Sequence, residues 1–415
     1  MTHAVDPSDP GRRPQIDLIA GDTYASHDWH DALHWMRRHE PFYRDETNDL
    51  RAVTRHADIM AISKRSDVFC NGRGYRPDAP PVPHMIAMDR PEHMIRRNLV
   101  NRGFTPRRIA AYEGRVREVC TAILDDVAER GECEFVFDVA ARLPLIVIGD
   151  LLGVEPADHD RLLRWSDDLL SALGSPDPAK IAAQAQAAIE YRDYCLRVVK
   201  DRRSRPPTDD LMSVLVHAEI DGERLDDESL FMESLLILIG GDETTRHVIS
   251  GGLHALLRHP EQLRTLRADP TALPRAIEEM LRWVTPIQNM MRTATADAEV
   301  DGHRFHAGDR LLLMYPSGNR DEAVFDEPFR FDVARDPNPH VAFGGRGAHH
   351  CLGSSLARLE LRVMFEELLR RFPDLELASG APPPLRPANF VVGIERLPVR
   401  YSPVPREGAA RAAAS

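Results

Sequence analysis

Long apolar runs are absent: the longest, Leu143 to Ile148 and Leu235 to Ile239, fall far short of the ~20 residues that span a bilayer. The amino terminus, Met1 to Pro14, is polar, so neither a secretory leader nor a membrane anchor is expected and a cytoplasmic location follows. Cysteine is scarce. Cys70, Cys120, Cys133, Cys195 and Cys351 are scattered, odd in number and without a Cys-x-x-Cys, which excludes a disulfide framework and argues against a structural zinc site. Basic residues are outnumbered, 53 Lys and Arg against 65 Asp and Glu, and the net charge of -12 speaks against a chain that wraps nucleic acid or an anionic membrane by bulk charge. There is no internal repeat and no Gly/Ser-rich linker; the only low-complexity stretch is the tail, Glu407 to Ser415, expected to be frayed.

What is present describes a folded soluble protein. The 415 residues are 43% hydrophobic and 28% charged, and at ~150 residues per domain the length allows about three domains or one large one. Apolar residues at three- and four-residue spacing predict helices over 107–130, 138–152, 156–173, 179–203, 226–258, 274–284 and 353–372. Strand signals are short: 42–44, 51–54, 290–294, a hairpin at Asp301-Gly302, and 310–314. A helical body flanked by a small sheet follows. The 226–258 helix is apolar nearly all round over Ser229 to Ile239, so it runs through the core. In its middle, Gly240-Gly241-Asp242-Glu243-Thr244-Thr245 puts two glycines, each weakening a helix by ~1 kcal/mol against Ala, before polar groups, and the helix is expected to loosen there.

Phe343-Gly344-Gly345-Arg346-Gly347-Ala348-His349-His350-Cys351-Leu352-Gly353 leads into a helix starting near Ser354. Three glycines ahead of a cysteine allow the backbone close to the sulfur, and a place before a helix start favours a thiolate. Such a loop suits a soft metal or a haem iron; a lone cysteine in a turn is otherwise an inert thiol. Zinc held by His349, His350 and Cys351 is disfavoured, because adjacent residues rarely converge on one tetrahedral ion. Upstream, Glu279 and Arg282 stand three apart on one helical face in an apolar setting.

The Cys loop, this Glu-x-x-Arg pair and the Gly-Gly-Asp-Glu-Thr-Thr stretch, in this order and at these separations, carry a resemblance. From about residue 15 to 402 the chain resembles the cytochrome P-450 haem-thiolate monooxygenases. The resemblance implies a mainly α fold with a small β region, one large domain over 15–402, between a flexible segment 1–14 and a disordered tail 403–415. It implies haem b with Cys351 as axial ligand of the iron. Glu279 and Arg282, with Arg335, would form a buried network bracing the Cys loop. Glu243 and Thr244 match the family's acid-alcohol pair, which relays protons through water to the site of oxygen activation; oxygen activation consumes two protons in a pocket that must otherwise stay dry. Two haem propionates need cationic partners, and His93, Arg97, Arg292 and His349 match them. Phe343 stands eight residues before Cys351, one more than in the commonest family loop. This leaves ligation unaffected and the packing of Phe343 near the sulfur open.

By position, Met85, Ile86, Met88, Ile237, Gly240, Ile287, Met290, Phe390 and Val391 are expected to line a pocket for an extended apolar substrate. The runs Leu163 to Leu169, Leu235 to His247 and Leu385 to Val391 look like those of bacterial members that oxidise the terminal methyl of the cholesterol or cholest-4-en-3-one side chain, which implies a sterol-like substrate entering tail-first. A fatty acid, a macrolide or another secondary metabolite is the alternative substrate. The chain has no flavin- or iron-sulfur-binding segment, so electrons are expected from a ferredoxin and its NAD(P)H-dependent reductase, with Arg346, Arg96, Arg107 and Arg108 as a basic docking patch. A monomer is expected. A haem-binding carrier or sensor without turnover is the reading from another class, and a peroxide-driven haem enzyme a third; both lack a need for the Glu243-Thr244 pair.

Overall fold

The computed structural model describes residues 13–408 except 27, 173–176 and 221. The helices that position the site are α1 (Glu92–Asn101), α2 (Glu113–Ala128), α3 (Arg142–Leu152), α4 (His159–Ser171), α5 (Pro178–Arg203), α6 (Asp227–Arg258), α7 (Leu273–Val284) and α8 (Ser354–Arg371). The 107–130 pattern divides at Tyr112 into Pro106–Ala111 and α2. The 138–152 pattern opens on a π-helical turn, where Ala141 N–H reaches Val136 O at 2.8 Å, before α3 begins. The end of the 156–173 pattern lies outside the described residues.

α6 is the axis of the body. Asp226 caps it by accepting Ser229 N–H at 2.8 Å, and its 32 residues pack against α3, α5, α7 and α8. The expected loosening at Gly240-Gly241 does not occur: the helix is continuous, and the two glycines meet different surroundings. A Cβ on Gly241 would lie 2.8 Å from Ile148 Cδ1, so its absence lets α3 cross closely, whereas no atom lies within 4 Å of a Cβ on Gly240, which faces a cavity. Thr244 Oγ1 donates to Gly240 O at 3.0 Å, the back-bond its position predicts.

Beside this body lies a sheet of β1 (Phe42–Asp45), β2 (Leu50–Val53), β3 (Phe69–Cys70), β4 (Asn289–Ala294) and β5 (Arg310–Met314), in the order β1-β2-β5-β4-β3. Its pairs are antiparallel except β2 with β5. Leu311, Leu312 and Leu313 are all fully buried, as a central strand covered on both faces requires. The Asp301-Gly302 hairpin is present, with φ of 47° and 74° at its two corner residues, the pair of positive values a type I′ turn needs.

Of the expected loose ends, 1–12 and 409–415 lie outside the described residues. Residues 403–408 are held on α2: Val404 N–H donates to Ala128 O at 2.9 Å, and Glu407 and Gly408 N–H donate to Asp125. Among the described residues no helix is long and apolar enough to cross a membrane.

Candidate active site

The Cys loop is seated on the helix His56–Lys64. A Cβ on Gly345 or Gly347 would collide with Ser63, and Gly344 adopts φ 84°, so these glycines serve that close seating and a turn rather than, as expected, an approach to the sulfur. Cys351 N–H donates to Phe343 O at 3.0 Å, and Arg97 Nη2 to His350 O at 2.6 Å. The sulfur opens onto an internal cavity between α6, α8 and β4. Burial pushes its thiol up, while the N–H groups of Gly353 and Ser354 and the guanidinium groups of Arg97 and Arg358 act the other way. Phe343 lines the same cavity, with the Arg358 guanidinium 4.6 Å from its ring centroid. The other four cysteines are free thiols away from this cavity.

Behind the loop stands the network expected of Glu279, Arg282 and Arg335. Arg282 Nε and Nη2 each donate to the Glu279 carboxylate at 2.7 Å, both side chains being wholly buried, and Arg335 Nε lies 3.2 Å from Glu279 Oε2. Asp332 N–H and Asn338 Nδ2 complete the carboxylate's partners at 2.9 and 3.2 Å. The network reaches the Cys loop through Asn319, whose carbonyl accepts from Arg282 and whose Oδ1 accepts Val341 N–H at 2.7 Å.

On the cavity wall the structure gathers His93 and Arg97 from α1, Arg292 from β4 and His349 from the loop. The rings of His93 and His349 are 4.0 Å apart. Three buried arginines elsewhere have counter-charges, Arg246 with Asp242, Arg282 with Glu279 and Arg371 with Asp125, while buried Arg320 donates to the Arg282 and Trp283 carbonyls. Arg97 and Arg292 have no carboxylate at ion-pair distance among the described residues. Burial and the neighbouring arginines hold His349 down to about 2 and His93 to about 4, so these groups repel each other's protons. Two guanidinium groups without a carboxylate partner among the described residues, and two neutral imidazoles able to donate a hydrogen bond, face one cavity with a cysteine sulfur, which fits an anionic group with a soft metal centre.

The rest of the wall is apolar. Met85, Ile86, Ile237, Ile287 and Met290 line it as expected, with Gly240 open toward it. Met88, Phe390 and Val391 do not reach it: Phe390 lies beneath the Arg76 guanidinium and beside Tyr75, and Val391 is taken up in a β-bridge to Ile287. Phe104 and Ile148 are wall residues that sequence reasoning missed, as is Glu360, nine residues after Cys351 on α8. Burial pushes the Glu360 carboxyl well up, reinforced by Asp242 and opposed by its hydrogen bond with Thr245. Nothing in the pattern of α8 marked it, because an acid at that spacing reads as solvent-facing.

Glu243 and Thr244 part company. Thr244 faces the cavity, whereas Glu243, fully buried, turns away from it to Arg386 Nη1 at 2.5 Å, with Arg246 at 3.8 Å and His247 at 4.0 Å. One carboxylate oxygen of Glu243 and both ring nitrogens of His247 have no hydrogen-bond partner. Of the expected basic patch, Arg346 and Arg107 are exposed; Arg96 instead turns inward to Ser229 Oγ at 2.8 Å, and Arg108 is engaged by Asp209 O.

A family model described as Cytochrome P450 matches residues 159–402. The Steroid C26-monooxygenase of Mycolicibacterium smegmatis is 50% identical over 392 residues, covering 94% of this chain and 97% of that protein. The Methyl-branched lipid omega-hydroxylase of Mycobacterium tuberculosis is 38% identical, covering 85% of this chain and 84% of that protein. Among solved structures, a Mycobacterium marinum cytochrome P450 in complex with pseudoionone superposes with a TM-score of 0.87 at 36% identity, covering 94% of this chain and all of that one.

Proposed function

The chain belongs to the cytochrome P450 family and is a monooxygenase, and we propose that its substrate is the side chain of cholesterol or cholest-4-en-3-one, hydroxylated at the terminal methyl. Haem b is the group its cavity would hold: Cys351 would bind the iron, and His93, Arg97, Arg292 and His349 would take the propionates. When bound, the haem supplies oxygen activation and the oxidation of the C–H bond, using electrons from a ferredoxin served by an NAD(P)H-dependent reductase.

The protein's own residues do the rest. Met85, Ile86, Ile237, Ile287 and Met290 exclude water and hold an extended apolar molecule so that only its end reaches the reacting centre. Thr244 presents a hydroxyl to the cavity, and Glu243 is the carboxylate behind it. For Glu243 to hand a proton inward, its carboxylate must exchange Arg386 for water leading to Thr244, so Arg386 sets the resting position of the acid. Exposed Arg346 and Arg107 are the contacts proposed for the acidic ferredoxin.

The observation that carries the substrate reading is 50% identity over nearly the whole chain to proteins named for oxidation of a steroid C26 carbon. Relatives at 38% identity are named Methyl-branched lipid omega-hydroxylase, which makes a methyl-branched fatty acid the second reading. Titrating the purified ferric protein with cholest-4-en-3-one and with a methyl-branched fatty acid separates the two. A low-to-high-spin shift and terminal oxidation with the sterol are expected; no shift and no product with the sterol would overturn the first reading.

A further inference from the structure

The segment from Asn71 to Asp89 forms one side of the cavity and is without regular structure except for the turn Met85–Ala87. Its ends are tied together by Asp89, whose carboxylate accepts Asn71 and Gly72 N–H at 2.8 and 2.9 Å. Its inner side, Met85 and Ile86, meets α6 through a single unusual group. Glu233 is fully buried among Leu230, Phe231, Ile237 and Leu238 of that helix, yet its Oε1 accepts Met85 N–H at 3.0 Å. Arg96 of α1 lies 3.7 Å away, and among the described residues both Glu233 Oε2 and Arg96 Nη1 are buried without a hydrogen-bond partner. A half-satisfied buried carboxylate is worse for stability than an apolar side chain of that size. Packing therefore does not explain it.

We propose that Glu233 is a positioning residue: by accepting the Met85 N–H it holds the Met85–Ile86 wall against the cavity and governs how an apolar substrate enters and which carbon it presents. The proposal rests on the reading of this cavity as the substrate site. Opening the wall would bring Glu233 into water. Burial, opposed by Arg96 and the Met85 N–H, pushes its carboxyl up to about 7 in the closed arrangement. In the open arrangement the carboxyl returns to its ordinary range near 4.5, so closing takes up a proton between about pH 4.5 and about pH 7: the preference for the closed form falls as pH rises through that window and is constant above it. The facing groups do not change charge in that range. Arg96 faces the carboxylate at 3.7 Å, and the Asp226 carboxyl is held low by its hydrogen bonds with Ser229; from α5, Cys195, hydrogen-bonded to Ser234 at 3.2 Å, is pushed up to about 11 by burial, and Tyr191 is also raised; His84, beside Met85, is held down to about 4 by burial.

The test is hydrogen-deuterium exchange of the peptide around Met85 in the full-length ferric protein, wild type against Glu233→Leu and Glu233→Gln, from about pH 4.5 to about pH 8 and corrected for intrinsic exchange. Glu233→Leu should speed exchange there about tenfold. Glu233→Gln, which keeps an acceptor, should stay protected and lose the rise in exchange that the wild type shows between about pH 4.5 and about pH 7. Stopped-flow binding of cholest-4-en-3-one should follow the same pattern in its entry rate. Protection within about twofold of wild type in Glu233→Leu, or the same pH curve for wild type and Glu233→Gln, would overturn the proposal. If Glu233→Leu does not fold, the Gln comparison decides alone. Exchange is read without substrate, so a loosened wall combined with a wild type that ignores the sterol supports the role of Glu233 and removes only the sterol reading.

Discussion

Replacing Glu279 by Ala tests the brace behind the Cys loop. The carboxylate is wholly buried and accepts from Arg282, Asp332 N–H and Asn338, with Arg335 Nε at 3.2 Å. Its removal leaves the fully buried Arg282 guanidinium without a counter-charge and Asp332 N–H without its acceptor. Breaking a buried pair from one side costs ~3–5 kcal/mol, against a whole-protein stability on the order of 5–15 kcal/mol. Glu279→Gln keeps the volume and one acceptor while losing the charge, so it should fall between Ala and the wild type. Urea unfolding followed by tryptophan fluorescence is the assay, since Trp283 adjoins the Arg282 guanidinium at 5.9 Å. Because Arg282 reaches Val341 through Asn319, the Ala variant should also incorporate less haem, read from the Soret absorbance per protein. An Ala variant within ~1 kcal/mol of wild type would mean the pair contributes no more than a surface contact, and the brace would be refuted.

Thr244→Ala should separate electron consumption from product formation, read as product per NAD(P)H with peroxide release rising. Its stability should stay within ~1 kcal/mol because Ala favours the helix and the lost bond is only the back-bond to Gly240 O; unchanged coupling would remove Thr244 from the relay. Arg346→Glu should slow reduction by ferredoxin and flatten its dependence on salt, and an unaltered stopped-flow reduction rate would place the docking surface elsewhere. Asp242 gives a pH prediction with a definite sign. Burial, opposed by Arg246 and Ser166, pushes its carboxyl up to about 6, so the folded state holds the proton more tightly than the unfolded one and stability contributed at this site falls as pH rises from about 4 to about 6, by ~2–3 kcal/mol. Asp242→Asn should lack this component, and a wild-type-minus-Asn difference that is flat between about pH 4 and about pH 7 would refute it.

The long helices were legible because their apolar residues recur at regular helical spacing. The strands near 42–44, 51–54, 290–294 and 310–314 and the Asp301-Gly302 hairpin were legible too, but other short elements were not. His56–Lys64 mixes polar and apolar residues, and β3 is only two residues long, too short for alternation to show. Yet His56–Lys64 matters to the site, since Ser63 is what Gly345 and Gly347 fit against. Residues named from the family resemblance are brought together: Cys351, His93, Arg97, Arg292 and His349 line one cavity, and Glu279 pairs with Arg282. Those expected by chain position alone were less secure: Phe390 and Val391 lie near the cavity in sequence order but are claimed by Arg76, Tyr75 and Ile287. Glu233 and Glu360 were invisible because an acid in a helix ordinarily marks its wet face, and only the fold reveals that both are enclosed.

The middle of α6 explains how so many polar groups stand in a core helix. Its consecutive residues point to different neighbours. Gly240 and Thr244 face the cavity; Asp242 and Arg246 pair with each other at 2.9 Å and reach Ser166 and Asp167 of α4; Glu243 turns to Arg386. Each buried charge is thus met by a partner on another element, which is what burying it requires. Thr244 bonds only within the helix, to Gly240 O, and that bond to a neutral carbonyl is the weakest among them. A hydroxyl so lightly held is free to exchange its partner for water in the cavity, whereas the charged groups around it are fixed. The division puts rigidity behind the cavity and adaptability at its wall, and it locates both in six consecutive residues, Gly240 to Thr245.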